Sequence, residues 1–400
     1  MRMIYLIVPA YLLTNGYILW RTIHWVHCYK KESFYKIFGV IFGVLYSLMV
    51  STAIIAYFLP ENSIHRGLNT FSNYFQGTYI YLLTAYIIVD LLRFELKHTR
   101  ILKEGFLTNK AVLSGLGTFV FTVTVGASIL GSIHAHQIYV KQYEAQVDKA
   151  VEGIQDMKVV LIADTHLGYS VGADMIEDMV NKINAQNPDL VVFAGDIFDN
   201  TIAGIDDPER VKADFRRIQS KYGVYACWGN HDVSERLFSG FSVTAFSQTK
   251  RSLEMENFVR DSNIHMLADE SVLIQDSFYL VGRKDYEKAG DGTKNRESIE
   301  NLLASLDHTK PIFVIDHEPR FLQQNADAGV DVMLSGHTHN GQFAPLNLGV
   351  KLLWENPAGM LKKDHMYSVV TSGVGVYGPF MRFGTDADIT VVNIRFQQSS

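Results

Sequence analysis

Apolar residues crowd the first third of the chain and thin out afterwards. Four stretches, 4–20, 37–58, 71–92 and 111–133, are almost wholly apolar, and a helix needs about 20 such residues to cross a bilayer. Each is expected to span, which makes 1–135 a transmembrane region of four helices. Beyond residue 138 the pattern changes to alternation, with Tyr139, Lys141, Tyr143 and Ala145 set against Val140, Gln142 and Glu144. That two-residue period predicts an exposed or edge strand, placed in a connecting stretch over 136–154. From 155 to 400, apolar runs at 159–163, 190–194, 224–228, 279–282, 312–315, 332–335, 367–371 and 389–395 are interspersed with amphipathic helical patterns at 174–186 and 209–221. Buried strands with intervening helices predict an α/β domain.

Charge adds a direction. Arg21, Lys30, Lys31 and Lys36 follow the first apolar run, Arg93, Lys97, Arg100, Lys103 and Lys110 follow the third, and only Arg66 follows the second. Short cytoplasmic loops are enriched in Lys and Arg, so the first and third loops are expected inside and everything after residue 133 outside. The chain then reads as a multi-pass protein of the cytoplasmic (inner) membrane, touching membrane lipids through its helices and carrying an extracytoplasmic soluble domain. Aromatic and basic residues follow the first run where a cleavable signal would carry small ones, so that run is expected to stay. Asp90, three residues before Arg93, is expected to snorkel or pair locally. His134 and His136, with no carboxylate near them in sequence, read as interfacial residues. A net charge of -6 with no basic stripe argues against nucleic acid as a partner. The two cysteines, Cys28 and Cys227, offer no disulfide framework.

The candidate chemistry lies where the buried strands end. Asp164-Thr165-His166, Gly195-Asp196 and Gly229-Asn230-His231-Asp232 follow the first three, and His317 (in Asp-His-Glu-Pro) and Gly336-His337-Thr338-His339 follow two later ones. In extended chain, residues two apart point the same way, so Asp164 with His166, and His337 with His339, can each face one site. Glycines beside them permit tight turns. One Asp-x-His pattern alone is commonly structural; five polar blocks at five strand ends point to a metal site.

In this order, over about residues 155–396, the blocks resemble the calcineurin-like metallophosphoesterase superfamily. The closing Ser372-Gly-Val-Gly and Arg382-Phe-Gly resemble its bacterial membrane-associated branch, related to UDP-2,3-diacylglucosamine hydrolases, although Asp386-Ala-Asp388 stands where that branch more often has a Pro-Glu pair. The resemblance implies a four-layer αββα sandwich with two mixed sheets. It also implies two divalent ions, one held by Asp164, His166, Asp196 and His339, the other by Asn230, His317 and His337 with Asp196 bridging. Mixed nitrogen and oxygen ligands suit Mn, Fe or Zn better than Ca or Mg, and two carboxylates leave two such ions a net positive charge for phosphate. His231, outside the ligand set, is implied as general acid, oriented by Asp232. Asp199 is expected to support the ligands by hydrogen bonding. The implied activity is hydrolysis of a phosphodiester or pyrophosphate, lipid-linked esters included.

Two features could set the substrate. Arg283 could bring a cation to the phosphate. The stretch 233–260 is long for a connector, and is either a lid whose Phe238, Phe241 and Phe246 touch an amphipathic substrate or a helix packed on the domain core. A transporter or sensor role for the helices finds no Gly/Pro-broken pair of spans in support, and a metal protein without turnover would lack a ligand, which this sequence does not.

Overall fold

A computed structural model describes residues 4–28, 32–99, 105–238, 240–242, 250–293 and 295–398. Lys30, Lys31, Arg100, Lys103 and Phe246 lie outside them. Four long helices come first, α1 (Ile4–Val26), α2 (Glu32–Phe58), α3 (Ser63–Thr99) and α4 (Lys110–Ala135). The strands follow: β1 (Ile138–Ala150), β2 (Asp156–Ile162), β3 (Leu190–Ala194), β4 (Val224–Cys227), β5 (Leu237–Phe238), β6 (Phe241–Ser242), β7 (His265–Met266), β8 (Glu270–Ile274), β9 (Phe278–Gly282), β10 (Ile312–Ile315), β11 (Val332–Ser335), β12 (Gly359–Lys363), β13 (Met366–Val370) and β14 (Ala387–Gln397). The chain divides into two compact units. One is Met1–Ile133 with Leu237–Ala245 and Gly378–Met381; the other is His134–Arg236, Phe246–Tyr377 and Arg382–Ser400.

In the helical unit, two helices and not four are apolar enough by themselves to cross a membrane, over Ser33–Phe58 and Lys110–Ala135. The other two are interrupted by polar residues that the fold buries: Asn15, Arg21 and Thr22 on α1, and Asn69, Ser72, Asn73 and Gln76 on α3. Several pair between helices. Asn15 accepts from the Tyr46 hydroxyl (2.7 Å), Thr14 and Tyr79 share a hydrogen at 2.7 Å, as do Thr22 and Tyr86. Asp90 accepts from Tyr17 (2.6 Å) and pairs with Arg21, while Arg93 donates to the Leu107 carbonyl (3.2 Å). The expected local pairing of Asp90 with Arg93 is therefore replaced by a bond between α1 and α3, and Arg21 is a helix residue, not a loop cation. Leu6, Leu13, Val40, Leu48, Leu91 and Leu130 point outward. Polar side chains paired between helices, with apolar groups outside, suit a hydrocarbon surrounding.

The hairpin β5–β6 belongs to this unit. Phe238 is buried among helical residues, edge-on to Tyr11 (5.5 Å) and to Tyr57 (6.1 Å). The stretch 233–260 is accordingly divided, and neither expectation covers it: Phe238 is a core side chain of the helical unit, and a helix begins only at Leu253.

In the second unit, one sheet runs β1-β14-β2-β3-β4-β7 and the other β12-β13-β11-β10-β9-β8. Both are mixed, with β14 antiparallel to β2, and β12 and β8 antiparallel to their neighbours. Leu161, Val192 and Cys227 of the first sheet meet Leu280, Phe313 and Leu334 of the second in one buried layer. Alternate residues face helices. Phe193 of β3 meets Phe215 of α6 (Pro208–Arg216), which meets Phe258 of α7 (Leu253–Asp261), beside α5 (Ala173–Ala185). On the other side, α8 (Ile299–Leu303) and α9 (Leu322–Asp327) cover Val281, Val314 and Met333. The result is a helix, sheet, sheet, helix sandwich. Parallel register sets Ile162 beside Phe193, Ala194 beside Cys227 and Ile315 beside Leu334, so the loops leaving these strands emerge together.

Candidate metal centre

Those loops do not continue as extended chain. Asp164 (φ 52°), His166 (φ 45°), Asp196 (φ 51°), His337 (φ 72°) and His339 (φ 49°) all have left-handed backbone. The two-residue alternation expected for the Asp164/His166 and His337/His339 pairs is thus replaced by tight turns, which aim the side chains inward at a local cost of about 1–3 kcal/mol each. Close approach supplies the space: a Cβ on Gly229 would lie 2.2 Å from Asp196 Oδ1, and one on Gly336 2.5 Å from Asp164 Oδ2.

The structure brings Asp164, His166, Asp196, Asn230, His317, His337 and His339 into one cluster. His166 Nε2 lies 3.0 Å from His339 Nε2, which is 3.5 Å from Asp164 Oδ1. Around His317 Nε2 stand Asn230 Oδ1 (3.0 Å), Asp196 Oδ2 (3.1 Å) and His337 Nδ1 (3.2 Å). Asp196 Oδ2 also faces His166 Nε2 at 3.8 Å, while its Oδ1 accepts the His231 N–H (2.7 Å). The backbone N–H of His337 donates to both Asp164 oxygens (3.1 and 2.9 Å). Asp164, His166 and His339 form one possible ligand triad, and Asp196, His317 and His337 another.

The donor set fits divalent cations. Burial lowers the His166 ring to about 3 and the His337 and His339 rings well below the usual imidazole range, so at neutral pH they present lone pairs. His317 Nδ1–H donates to the Ala194 carbonyl (2.7 Å), aiming Nε2 into the cluster. Burial would strip this ring of charge, yet the Asp196 carboxylate holds its proton well above the ordinary value. Positive charge is favoured at that point. Burial, partly offset by His317, raises Asp164 to about 7.

Around this cluster the remaining sites fall unevenly. His231 Nδ1–H donates to Asn200 Oδ1 (2.6 Å), and the Asn200 N–H returns to the His231 carbonyl (3.1 Å). Orientation expected from Asp232 therefore comes from Asn200. The Asp232 carboxylate instead accepts the N–H groups of Gly229 (2.8 Å) and Phe198 (2.9 Å), bracing the loop. Asp199 is buried with Oδ1 4.0 Å from His166 Nδ1 and 3.9 Å from His231 Nδ1, both longer than hydrogen bonds; burial and then Asp196 raise it to about 8. Arg283 is buried against Asp316 (3.4 Å) and donates to the Glu297 carbonyl (3.0 Å), contacts that make it a bracing residue. His134 pairs with Asp386 (3.1 Å).

Two residues escaped the sequence reading of the site. Asn200 carried no signal beyond its place after Asp199. Arg382, seen in sequence only as part of a tail pattern, is fully buried; its Nη2 donates to Ser372 O (2.7 Å), Gly373 O (2.9 Å) and Gly375 O (2.7 Å). That loop backs the Asp164 turn, with Gly375 N–H on the Asp164 carbonyl (2.7 Å). Burial lowers Arg382 to about 10, still charged at neutral pH.

A sandwich of two mixed sheets with a buried His and Asp cluster on its strand-end loops has the donor set for divalent metal. Residues 157–341 match the family of calcineurin-like phosphoesterases, and the chain carries a calcineurin-like metallophosphoesterase domain, a hydrolase of phosphoester bonds. Among its relatives is a transmembrane protein with metallophosphoesterase domain from Danio rerio, 26% identical over 370 residues, covering 89% of this chain and 80% of that one. A metallophosphoesterase of Aquifex aeolicus is 26% identical over 274 residues, 67% of this chain and 97% of that one. The UDP-2,3-diacylglucosamine pyrophosphatase LpxG of Chlamydia trachomatis is 22% identical over 224 residues, 48% of this chain and 66% of that one.

Proposed function

We propose that the protein is a dinuclear-metal hydrolase of phosphodiesters or pyrophosphates, lipid-linked ones among them, working at the extracytoplasmic face of the cytoplasmic membrane. The observation that carries the dinuclear reading is Asp196, whose Oδ2 lies 3.1 Å from His317 Nε2 and 3.8 Å from His166 Nε2, between the two ligand triads. Asp164, His166, Asp196 and His339 would hold one ion, and Asn230, His317, His337 and the shared Asp196 the other. When bound, such ions polarise phosphoryl oxygens and acidify a water.

The chain's own residues supply position and a proton. With Nδ1–H fixed on Asn200, His231 keeps Nε2 for the proton that the leaving oxygen needs. Burial lowers the His231 pKa, and the Asp196 charge opposes that fall. Asp232 and Arg382 hold the loops that carry Asn230 and Asp164.

In the membrane, α1 and α3 cross with α2 and α4, their polar side chains paired among themselves. Lys36 near the start of α2, Arg93 and Lys97 near the end of α3 and Lys110 at the start of α4, with Lys30, Lys31, Arg100 and Lys103 beside them in sequence, support the orientation. A second reading, a cytoplasmic-facing lipid-nucleotide pyrophosphatase, is favoured by the activity named for the Chlamydia relative. One experiment separates them: an alkaline phosphatase or green fluorescent reporter at the C-terminus, with metal-loaded protein screened on monoesters, diesters and lipid-linked pyrophosphates, and Asp196→Asn as blank. Phosphatase signal with hydrolysis above the blank is expected. Fluorescence alone would reverse the orientation, and hydrolysis no higher than the blank would sink the enzyme.

A further inference from the structure

Among the described residues of the catalytic unit, four of the five most exposed large apolar side chains lie on one short helix, α10 (Leu346–Leu353). Leu346 is 57% exposed, Leu348 67%, Leu352 88% and Leu353 81%. Single exposed leucines are ordinary on a soluble surface, but four within eight residues are a patch that calls for a partner. Around the helix only Asn347 and Lys351, four residues apart, are polar, and Val350 alone is buried. The helix is therefore not amphipathic toward its own domain. Its apolar arc faces outward.

Two connections place the helix. The Ala344 N–H, just before α10, donates to the Phe383 carbonyl (2.9 Å), and Asn347 Nδ2 donates to the Gly384 carbonyl (3.4 Å). The segment under the helix is thus Phe383–Gly384, which continues in the chain from Gly378–Met381, a part of the helical unit. At its other end, the Trp354 ring that closes α10 lies 5.1 Å from the ring of His337. The helix stands one side chain from a proposed metal ligand, on a chain whose α2 and α4 are long and apolar enough to cross a membrane.

We propose that α10 is an interfacial helix. Its leucines enter the boundary between headgroups and acyl chains, Lys351 lies toward anionic headgroups, and the rim of the metal site is held at the lipid surface. A helix of two turns binds bilayers weakly by itself. Here the bilayer is supplied by the same chain, so contact is intramolecular and its effective concentration high. A phosphoester borne on a lipid would then reach the cluster without leaving the membrane. That last step rests on the hydrolase reading; the membrane contact does not.

The test uses the full chain with Cys28→Ser, since Cys227 is buried, in nanodiscs of phosphatidylcholine with a minority of phosphatidylglycerol. An NBD label on Leu352→Cys should emit to the blue of the same label on Glu254→Cys and be quenched by brominated acyl chains. Water-like emission without quenching overturns the proposal, as does shielding by a second copy, read as label self-quenching that brominated lipid leaves unchanged. In parallel, Leu346→Ser/Leu348→Ser/Leu352→Ser/Leu353→Ser should lower hydrolysis of a nanodisc-borne phosphodiester about tenfold, leaving soluble bis(p-nitrophenyl) phosphate within about twofold. Equal loss on both esters in a folded variant contradicts delivery by the helix. If wild-type protein cleaves neither ester, the hydrolase reading fails while the quenching measurement still decides the placement of α10.

Discussion

Replacing Asn200 by Ala removes the one hydrogen-bond acceptor seen at His231 Nδ1, at 2.6 Å. A buried N–H left without its partner costs about 1–3 kcal/mol. If the whole penalty falls on the transition state, at about 1.36 kcal/mol per tenfold, kcat drops about 5- to 150-fold. The loss cannot exceed that of removing the acid itself, about 10²–10⁴-fold. His231→Gln should therefore be the more severe variant, and the double variant no worse than His231→Gln. The assay is metal-loaded protein on two diesters, one with a p-nitrophenyl and one with an alkyl leaving group. A phenolate that leaves readily needs little protonation, so both variants should lose far more on the alkyl ester, with bound metal unchanged. Because the ring must be protonated to act, kcat on that ester should fall as pH rises. Asn200→Asp, which sets a carboxylate beside Nδ1, should carry this alkaline limb to higher pH. Equal losses on the two esters, or losses that multiply in the double variant, would refute the acid role and Asn200 as its positioning residue.

Other consequences follow from the same geometry. Burial raises Asp164 to about 7, and metal must displace that proton, so affinity should weaken as pH falls through this value; competition by one proton predicts about tenfold weaker binding at pH 6 than at pH 8, read by titration with a chromophoric chelator. A pH-independent affinity would contradict it. Phe238→Ala should destabilise the helical unit by about 3–5 kcal/mol, seen as earlier thermal unfolding in micelles, and an unchanged transition would remove Phe238 from that core. Arg21→Met should unfold more easily than Arg21→Met/Asp90→Leu, because losing one partner strands the charge of the other; the reverse order would mean the pair contributes little. Arg283→Ala should lower thermal stability through lost contacts to Asp316 and Glu297 while leaving KM for a soluble diester within about twofold, and a large KM increase would restore it as a phosphate ligand.

Sequence revealed most where a strand is buried on both faces. The runs around Val160, Val192, Phe313 and Met333 are continuous and apolar, and the strands lie there. Edge strands were less legible: β8 and β12 are antiparallel and half-exposed, and Gly359-Met-Leu-Lys-Lys carries little alternation. Helix lengths were missed for a different reason. Hydropathy ends where polar residues begin, but α3 runs through Asn69, Ser72, Asn73 and Gln76, whose polar groups the surrounding helices bury. The seven candidate ligands were found by residue type and order, yet not their backbone, since a positive φ at Asp164 or Asp196 has no signature in the residue itself. Asn200 and Arg382 act through contacts to chain 31 and up to 43 residues away, which spacing along one strand does not announce.

The central claim, a shared carboxylate between two metal ions, is tested most directly by counting metal. Inductively coupled plasma measurement on the purified full chain, wild type beside Asp196→Asn and each with hydrolysis measured on the same sample, should give two divalent ions per wild-type chain. The variant should lose at least one ion together with its activity. A wild-type chain saturating at one ion, or an Asp196→Asn chain that keeps two and still hydrolyses the ester, would contradict the account.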